Sequence, residues 1–438
     1  MVLSPLDAWL TRRIGQPEAT TPPSYDTLRQ WQLDTLKDIV VHAQDNSPFY
    51  SRHLSNVDGS SIHSLEDFSR LPMLMPAQLQ SAPEHLLCVS QDEIARVVTL
   101  TSSGTTGPPK RIFYTADDLE ATVDYFRWGM SSLVGPGETA LVLMPGERPS
   151  GVGRLLMDAL GRTGARAIPH GVMEDSDAAL EQCLAENAQC LVGAASHINC
   201  LARAWEQRGL GHGIIRSVLL CWDAVPEAVV NNCERIFGCR VFRHWGMIET
   251  GLGGAVDCAP GTGMHLRETD IFLEIVDPES GNLLPDGQFG EMVVTTPLKR
   301  GMPLLRYRTG DMGRILPGQC RCGSPLRRLD YRVCRIGDGV KIGTERLTME
   351  DLNEVLYGMS KVSDFSATYL NEKLHVVVIS QDNVEAKKVC FALETIPSVA
   401  HALKEKCLEI EIDIRRGSFP AESGLGKRRI RTHMENES

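Results

Sequence analysis

The sequence predicts a layered α/β protein. It reads as a large N-terminal domain of α/β sheets with a small antiparallel unit, followed by a small, mobile α+β C-terminal domain. Two observations predict this. Short β-rich runs alternate with longer helical stretches through the first half of the chain, a pattern that builds parallel sheets covered by helices. From residue 264 to 314 the runs close up around turn signals, as antiparallel hairpins do.

In chain order, 96–100, 139–144, 165–169, 190–193, 217–221 and 240–243 read as buried strands, and 116–130 and 150–162 as helices between them. Asp277-Pro278, Ser280-Gly281-Asn282 and Pro285-Asp286-Gly287 mark the turns of the antiparallel unit. A second break falls at 335–341. Beyond it, Thr348 with Asp351 three residues on predicts a helix start through a variant capping box. Strands follow at 364–369, 373–380 and 408–415. The domains are therefore expected at 1–334 and 335–438, the second of ordinary domain size. From residue 417 the chain is rich in Gly, Ser and charge and is expected to be mobile.

Composition narrows the function classes. A chain of 438 residues, 42% hydrophobic and 23% charged, excludes wholesale disorder and can bury a core without disulfides. A net charge of −11 argues against a nucleic-acid partner. No apolar run reaches the ~18 residues of a membrane span, and the start does not read as a signal peptide. Thirteen scattered cysteines read as reduced thiols or metal ligands of a cytoplasmic protein.

The most informative stretch is Thr101-Ser102-Ser103-Gly104-Thr105-Thr106-Gly107-Pro108-Pro109-Lys110, which follows a predicted strand. Small residues let backbone N–H groups approach an anion, hydroxyls add donors, and Lys110 adds charge. Pro109 stands where a Walker A loop needs its second glycine, and no Lys-Ser/Thr pair follows. On composition alone the stretch is equally a polar loop. It resembles, however, the phosphate loop of the adenylate-forming superfamily of acyl-CoA synthetases, peptide-synthetase adenylation domains and luciferases. Further motifs follow in order. His244-Trp245-Gly246-Met247-Ile248-Glu249 resembles the aromatic-Gly-x-Thr-Glu motif, with Ile248 in place of the usual hydroxyl residue. Arg306-Tyr307-Arg308-Thr309-Gly310-Asp311 matches Tyr-Arg-Thr-Gly-Asp intact. Arg335 stands at the hinge motif, and Gly426-Lys427 with Arg429 resembles the motif near the C-terminus. Residues 268–278, Leu284-Pro285-Asp286-Gly287 and 302–311 resemble the phenylacetate–CoA ligase branch.

The resemblance implies an ATP-dependent ligase. A carboxylic acid would be activated as acyl-AMP with release of pyrophosphate, and the acyl group then passed to CoA. Ser102, Ser103, Gly104, Thr105, Thr106 and Gly107 would hold phosphates, and Trp245 with Gly246 the adenine. Asp311 would accept the ribose hydroxyls, as suits an ionised acceptor, and Arg335 would reach ribose or phosphate. Lys427, Lys110 and Mg²⁺ on Glu249 would offset the charge that develops in adenylation. No general base is required, because a carboxylic acid is already ionised at pH 7. A swinging C-terminal domain would bring the loop 341–346 to the second half-reaction.

Several departures stand out. Gly337 replaces the hinge aspartate, and Gly343-Thr344 replaces the Arg-Gly pair of the thiol-binding loop. Trp222-Asp223 replaces a Gly-Gly pair, so Trp222 either lines the acyl pocket beside Met247 or faces the core. The departures at 337 and 344 keep open an adenylyltransferase that needs no CoA, and Ile248 keeps open a non-catalytic nucleotide-binding homologue. Monomer and homodimer are both open.

Cys258, His265, Cys320 and Cys322 offer three thiolates and an imidazole, with Gly323 closing a Cys-x-Cys-Gly turn. That donor set suits a closed tetrahedral Zn²⁺ site. Spacing alone leaves buried thiols and a surface histidine equally open. Some phenylacetate–CoA ligase-like proteins carry this pattern, and the resemblance implies structural Zn²⁺ pinning the antiparallel unit beside the ribose-binding strand.

Overall fold

The computed structural model describes residues 3–100, 109–146, 148–417, 419–421 and 426–432. The chain forms two compact units, Met1–Ser132 with His244–Ile336, and Leu133–Arg243 with Gly337–Ser438. Each is built from discontinuous segments.

In the second unit, Arg166–Pro169, Thr139–Leu143, Cys190–Ala194, Ser217–Cys221 and the first residues of Arg240–Trp245 pair in that order, all parallel. Helices Val152–Thr163, Ser176–Ala185, Ala195–Gln207 and Glu227–Phe237 connect them. Thr139–Leu143, Cys190–Ala194 and Ser217–Cys221 are buried at every position, as continuous apolar runs in a doubly covered parallel sheet must be. Arg166–Pro169 departs from the expectation of a buried strand. It is exposed at both ends because it is the edge strand, the place in a sheet that tolerates the N–H missing from Pro169. Gly164 and Gly238 end two of the helices in left-handed caps.

The rest of this unit opens with the hairpin Val340–Ile342 and Glu345–Leu347. The Thr348–Asp351 capping box then starts helix Met349–Gly358 as expected. Asp364–Leu370 and Lys373–Ser380 pair antiparallel, and Glu409–Arg416 adds in parallel. Buried polar groups tie this part to residues 199–232. Asn232 Nδ2 donates to Asn199 Oδ1 and to the carbonyl of Tyr357, both at 2.9 Å. Glu354 accepts the N–H groups of Glu227 and Ala228 at 2.6 and 3.0 Å, satisfying orphan donors of a helix start.

In the first unit, Ile94–Leu100 pairs antiparallel with Lys110–Thr115. It is not the buried parallel strand expected at 96–100: Ala95, Val97 and Thr99 are exposed, because a two-stranded sheet covers one face at most. Helix Ala116–Met130 has the bounds expected. Phe272–Val276, Gly290–Thr295, Tyr307–Gly313 and Cys334–Arg335 form a four-stranded antiparallel sheet. In its long turn Asp277 accepts from the N–H of Ser280 at 2.8 Å. Met264–Leu266, expected within that sheet, instead joins Ala255–Asp257, Arg328–Leu329 and Ile315–Leu316 in another.

Candidate active site

Ser102, Ser103, Gly104, Thr105, Thr106 and Gly107 lie outside the described residues. The strands on either side are paired, with Leu100 opposite Lys110. Lys110 therefore emerges at the mouth of the hairpin, and its side chain reaches two groups far along the chain. Its ammonium donates to Glu249 Oε1 at 2.6 Å and to the Tyr307 hydroxyl at 2.8 Å. Burial alone would push Lys110 down. Glu249 and then Tyr307 hold it above its ordinary value, so it is a fixed cation.

Glu249 is presented by local backbone. Thr250 Oγ1 donates to the carbonyl of Met247 at 2.9 Å and accepts its N–H at 3.2 Å, closing a single 3₁₀ turn that ends on Gly251 at φ 78°. The Tyr114 hydroxyl donates to the carbonyl of Ile248. The turn thus occupies Thr250, which cannot stand in for the hydroxyl missing at Ile248. Gly246 is required: a Cβ there would lie 2.5 Å from the Leu252 carbonyl oxygen. Trp245 is 8% exposed and lies over Gly254, where a Cβ would come within 2.4 Å of the indole. His244 is pushed down to about 4 by burial, so it supplies no cation at neutral pH.

Asp311 lies on the strand Tyr307–Gly313, and Arg335 sits opposite it. Arg335 Nη1 donates to Asp311 Oδ1 and to the carbonyl of Thr309, both at 2.8 Å. Gly310, at φ 73°, leaves room for this: a Cβ would lie 3.1 Å from the guanidinium. Burial would lower Arg335, but Asp311, then Tyr307 and Glu249, hold it above its ordinary value. The two pairs, Lys110–Glu249 and Arg335–Asp311, therefore share one electrostatic field, with Tyr307 between them. Tyr307 belongs to the motif already noted but had been given no role. Its place in the same strand as Asp311 was the available signal.

In the other unit, Trp222 is 38% exposed, which removes the reading that it faces the core. It lines a cavity of about 30 Å³ with Asp223, Gly426 and Arg428. Lys427 is exposed beside them.

Cys258, His265, Cys320 and Cys322 converge, with their ligand atoms all within 4.8 Å of one another. Cys258 Sγ lies 3.5 Å from Cys320 Sγ, and His265 Nε2 lies 3.3 Å from Cys322 Sγ. Four ligands at ~2.3 Å around one centre would stand about 3.8 Å apart, so the spacing fits a metal. His265 Nδ1 faces the Leu326 carbonyl at 3.1 Å, which fixes Nε2 toward the sulfurs. Backbone N–H groups of Cys322 and Ser324 face the sulfurs of Cys320 and Cys322, the knuckle that Gly323, at φ 86°, permits. The cluster sits at strands Ala255–Asp257 and Met264–Leu266 and the turn 320–323. Met264–Leu266 pairs with Ala255–Asp257 and Arg328–Leu329 rather than with the strand that carries Asp311.

Fold and site together define an adenylate-forming nucleotide enzyme. Residues 35–301 match the family of AMP-binding enzymes. The chain is 31% identical to the phenylacetate–coenzyme A ligase of Thermus thermophilus over 79% of each chain. It is 26% identical to that of Escherichia coli K12, over 92% of this chain and 94% of that one. In structure it resembles a 2-hydroxyisobutyryl-CoA ligase in the postadenylation state with 2-HIB-AMP, at TM-score 0.77 and 21% identity, covering 94% of this chain and 91% of that one. The chain belongs to the AMP-binding enzyme family, in its adenylate-forming, phenylacetate–CoA ligase-like branch. No helix among the described residues is long and apolar enough to cross a membrane.

Proposed function

We propose that this chain condenses a carboxylic acid with ATP to an acyl-adenylate and pyrophosphate, then transfers the acyl group to the sulfur of CoA, releasing AMP. The observation that carries this reading is the paired charge network Lys110–Glu249 and Arg335–Asp311 about Tyr307. Asp311 meets Arg335 through Oδ1, and Oδ2 has no partner among the described residues. An ionised oxygen held that way is suited to accept two ribose hydroxyls. Lys110, already charged and held by two groups, needs no reorganisation as negative charge grows on the phosphates, which is the economical form of electrostatic catalysis. Lys427 would bridge substrate carboxylate and α-phosphate.

Glu249 is the residue that would hold Mg²⁺, which prefers one or two carboxylates plus substrate phosphates. When bound, the ion would neutralise charge on the transferred phosphates. Zn²⁺ would occupy the cluster of Cys258, His265, Cys320 and Cys322 with no open position, a structural role. Residues 335–438 would form the swinging domain and 1–334 the N-terminal one. Gly337 supports a hinge: it sits at φ 75° with nothing within 4 Å of its missing Cβ. Arg346 Nη1 donates to the carbonyls of Gly337, Asp338 and Gly339 at 2.9–3.0 Å, which ties the loop 341–346 to that hinge. Thr344 is exposed, so it does not wall off a thiol by burial. The polar contacts of Asn199, Asn232, Glu227 and Ala228 with residues 335–438 suit a surface that parts reversibly. A cytoplasmic setting is the reading that the free cysteines support.

The test is pyrophosphate release across a panel of carboxylic acids, phenylacetate and short branched acids included, with and without CoA. CoA-dependent AMP release after acyl-adenylate formation is the expected result. ATP binding without turnover of any acid, or AMP transfer to an acceptor with no use for CoA, would refute it.

A further inference from the structure

The strand Ser217–Cys221 ends on a backbone conformation that L residues avoid. Trp222 has φ 80°, a left-handed value that a bulky residue keeps only when its surroundings demand it. The result of that turn is the aim of the next side chain. Asp223 Oδ2 accepts the backbone N–H of Arg428 at 2.8 Å, and the N–H of Ala224 also faces the carboxylate. Burial holds the Asp223 carboxyl above its ordinary value, and those two N–H groups, Lys427 and Arg428 offset part of that rise.

Arg428 directly follows Lys427, and its side chain is anchored in the opposite direction. The guanidinium lies 4.3 Å from the centre of the Phe365 ring and 5.3 Å from that of Tyr357. It pairs with Asp364 at 3.1 Å and donates to the carbonyl of Phe365. Asp364 is itself fixed, accepting from the Tyr357 hydroxyl at 2.6 Å. Three residues on, Arg431 bonds both ways with the strand Asp364–Leu370, to Ala367 and Tyr369. Residues 428–431 thus travel with the 364–370 strand, whereas the N–H at 428 is held by the turn after Ser217–Cys221. A small, partly open cavity lies beneath, lined by Trp222, Asp223, Gly426 and Arg428.

We propose that Asp223 is a positioning residue for Lys427. Its carboxylate clamps the peptide between Lys427 and Arg428 and so orients the Lys427 ammonium for the adenylation half-reaction, letting go when residues 335–438 move for thioester formation. The proposal rests on the reading of Lys427 given above. Asp223 touches no reacting atom; it acts through the backbone of its neighbour. A carboxylate is a strong acceptor for one N–H and makes no covalent or apolar commitment, which is what a contact made and broken in each turnover requires.

Asp223→Ala, Asp223→Asn and Lys427→Ala are compared with the native chain, using the acid that supports the fastest native pyrophosphate release. ATP–pyrophosphate exchange reports the first half-reaction; synthetic acyl-adenylate with CoA reports the second. Losing a hydrogen bond to a charged acceptor corresponds to roughly 10- to 100-fold. Asp223→Ala is expected to lower kcat of exchange by that factor, leave KM for ATP within about threefold, and leave the second half-reaction unchanged or faster. Asp223→Asn, whose amide oxygen still accepts, is expected to recover most of the loss. Independently of activity, hydrogen exchange at residues 426–432 is expected to quicken in Asp223→Ala. An equal fall in both half-reactions, an inert Asp223→Ala, or failure of Asn to rescue would overturn the proposal. If Lys427→Ala leaves exchange intact, the reading of Lys427 fails; if it abolishes exchange while Asp223→Ala does not change it, only the clamp fails.

Discussion

Two clusters of buried charge lie in the first unit, and they are built on opposite plans. In the first cluster every ion has a partner within the protein: Lys110 with Glu249, Arg335 with Asp311. In the sulfur cluster three thiols and an imidazole crowd together, their ligand atoms within 4.8 Å of one another. The thiols disagree sharply as a consequence. Cys258 is pushed far up, first by its contact with Cys322 and then by burial, while Cys322 is held down, first by Cys258. A set of charges balanced internally can be vacated and refilled, as a substrate site must be. A crowd of soft donors is suited to a bound metal ion.

The most damaging way to break the first plan is to remove one partner. Glu249→Gln is expected to reduce adenylation at least ~100-fold and to destabilise the fold by about 3 kcal/mol, because Lys110 is left buried and unpaired. Adding Lys110→Met is expected to restore much of the stability and none of the activity. A double-mutant cycle in denaturant checks this, and additivity of the two changes would contradict the pairing.

The second plan is tested by the metal. Freshly purified protein is expected to carry close to one zinc per chain. Stripping it at neutral pH, or Cys322→Ser, is expected to lower the melting temperature by about 5–10 °C. Less than about half an equivalent on metal analysis, or an unchanged melting curve, would dismiss the ion.

The smallest effect sharpens the contrast with a third arrangement. Lys299 is buried, its ammonium has no hydrogen-bond partner among the described residues, and it rests 4.0 Å from the centre of the Tyr114 ring. Burial pushes it down to about 8, against about 10.4 for a lysine in the unfolded chain. Below about pH 8 both states are protonated and the cost of the buried charge is paid in full. Between about 8 and 10.4 the unfolded chain binds the extra proton, so stability rises with pH. Lys299→Met is therefore expected to raise the melting temperature by a few degrees at pH 7, with the advantage shrinking as pH rises through that window. A native chain more stable than the variant at pH 7 would mean that the ammonium is matched.

The parallel strands were legible because they are buried along their whole length. Thr139–Leu143 and Ser217–Cys221 read as apolar runs for the same reason that they sit centrally in the sheet. Ile94–Leu100 and Arg166–Pro169 misled because apolar composition does not tell an edge or a two-stranded ribbon from a covered strand. Of the site, Asp311, Glu249 and Lys110 were legible through local motifs. Tyr307 and Asp223 were not given roles, since what matters about them is the group they meet.

The amino-acid order by itself determined what depends on neighbours in the chain: the Thr348–Asp351 cap, the glycine-ended helices, the turn of Asp277 with Ser280, and the motif containing Gly310 and Asp311. Hydrogen bonds between residues two to four apart, and the periodicity of burial, are local physics. Tertiary structure alone decided that Lys110 meets Glu249, that Cys258 and His265 meet Cys320 and Cys322, and that Asp223 meets the peptide after Lys427. Those partners lie tens to hundreds of residues apart. Their meeting is set by strand order and register, which arise from packing the whole sheet rather than from any one segment of it.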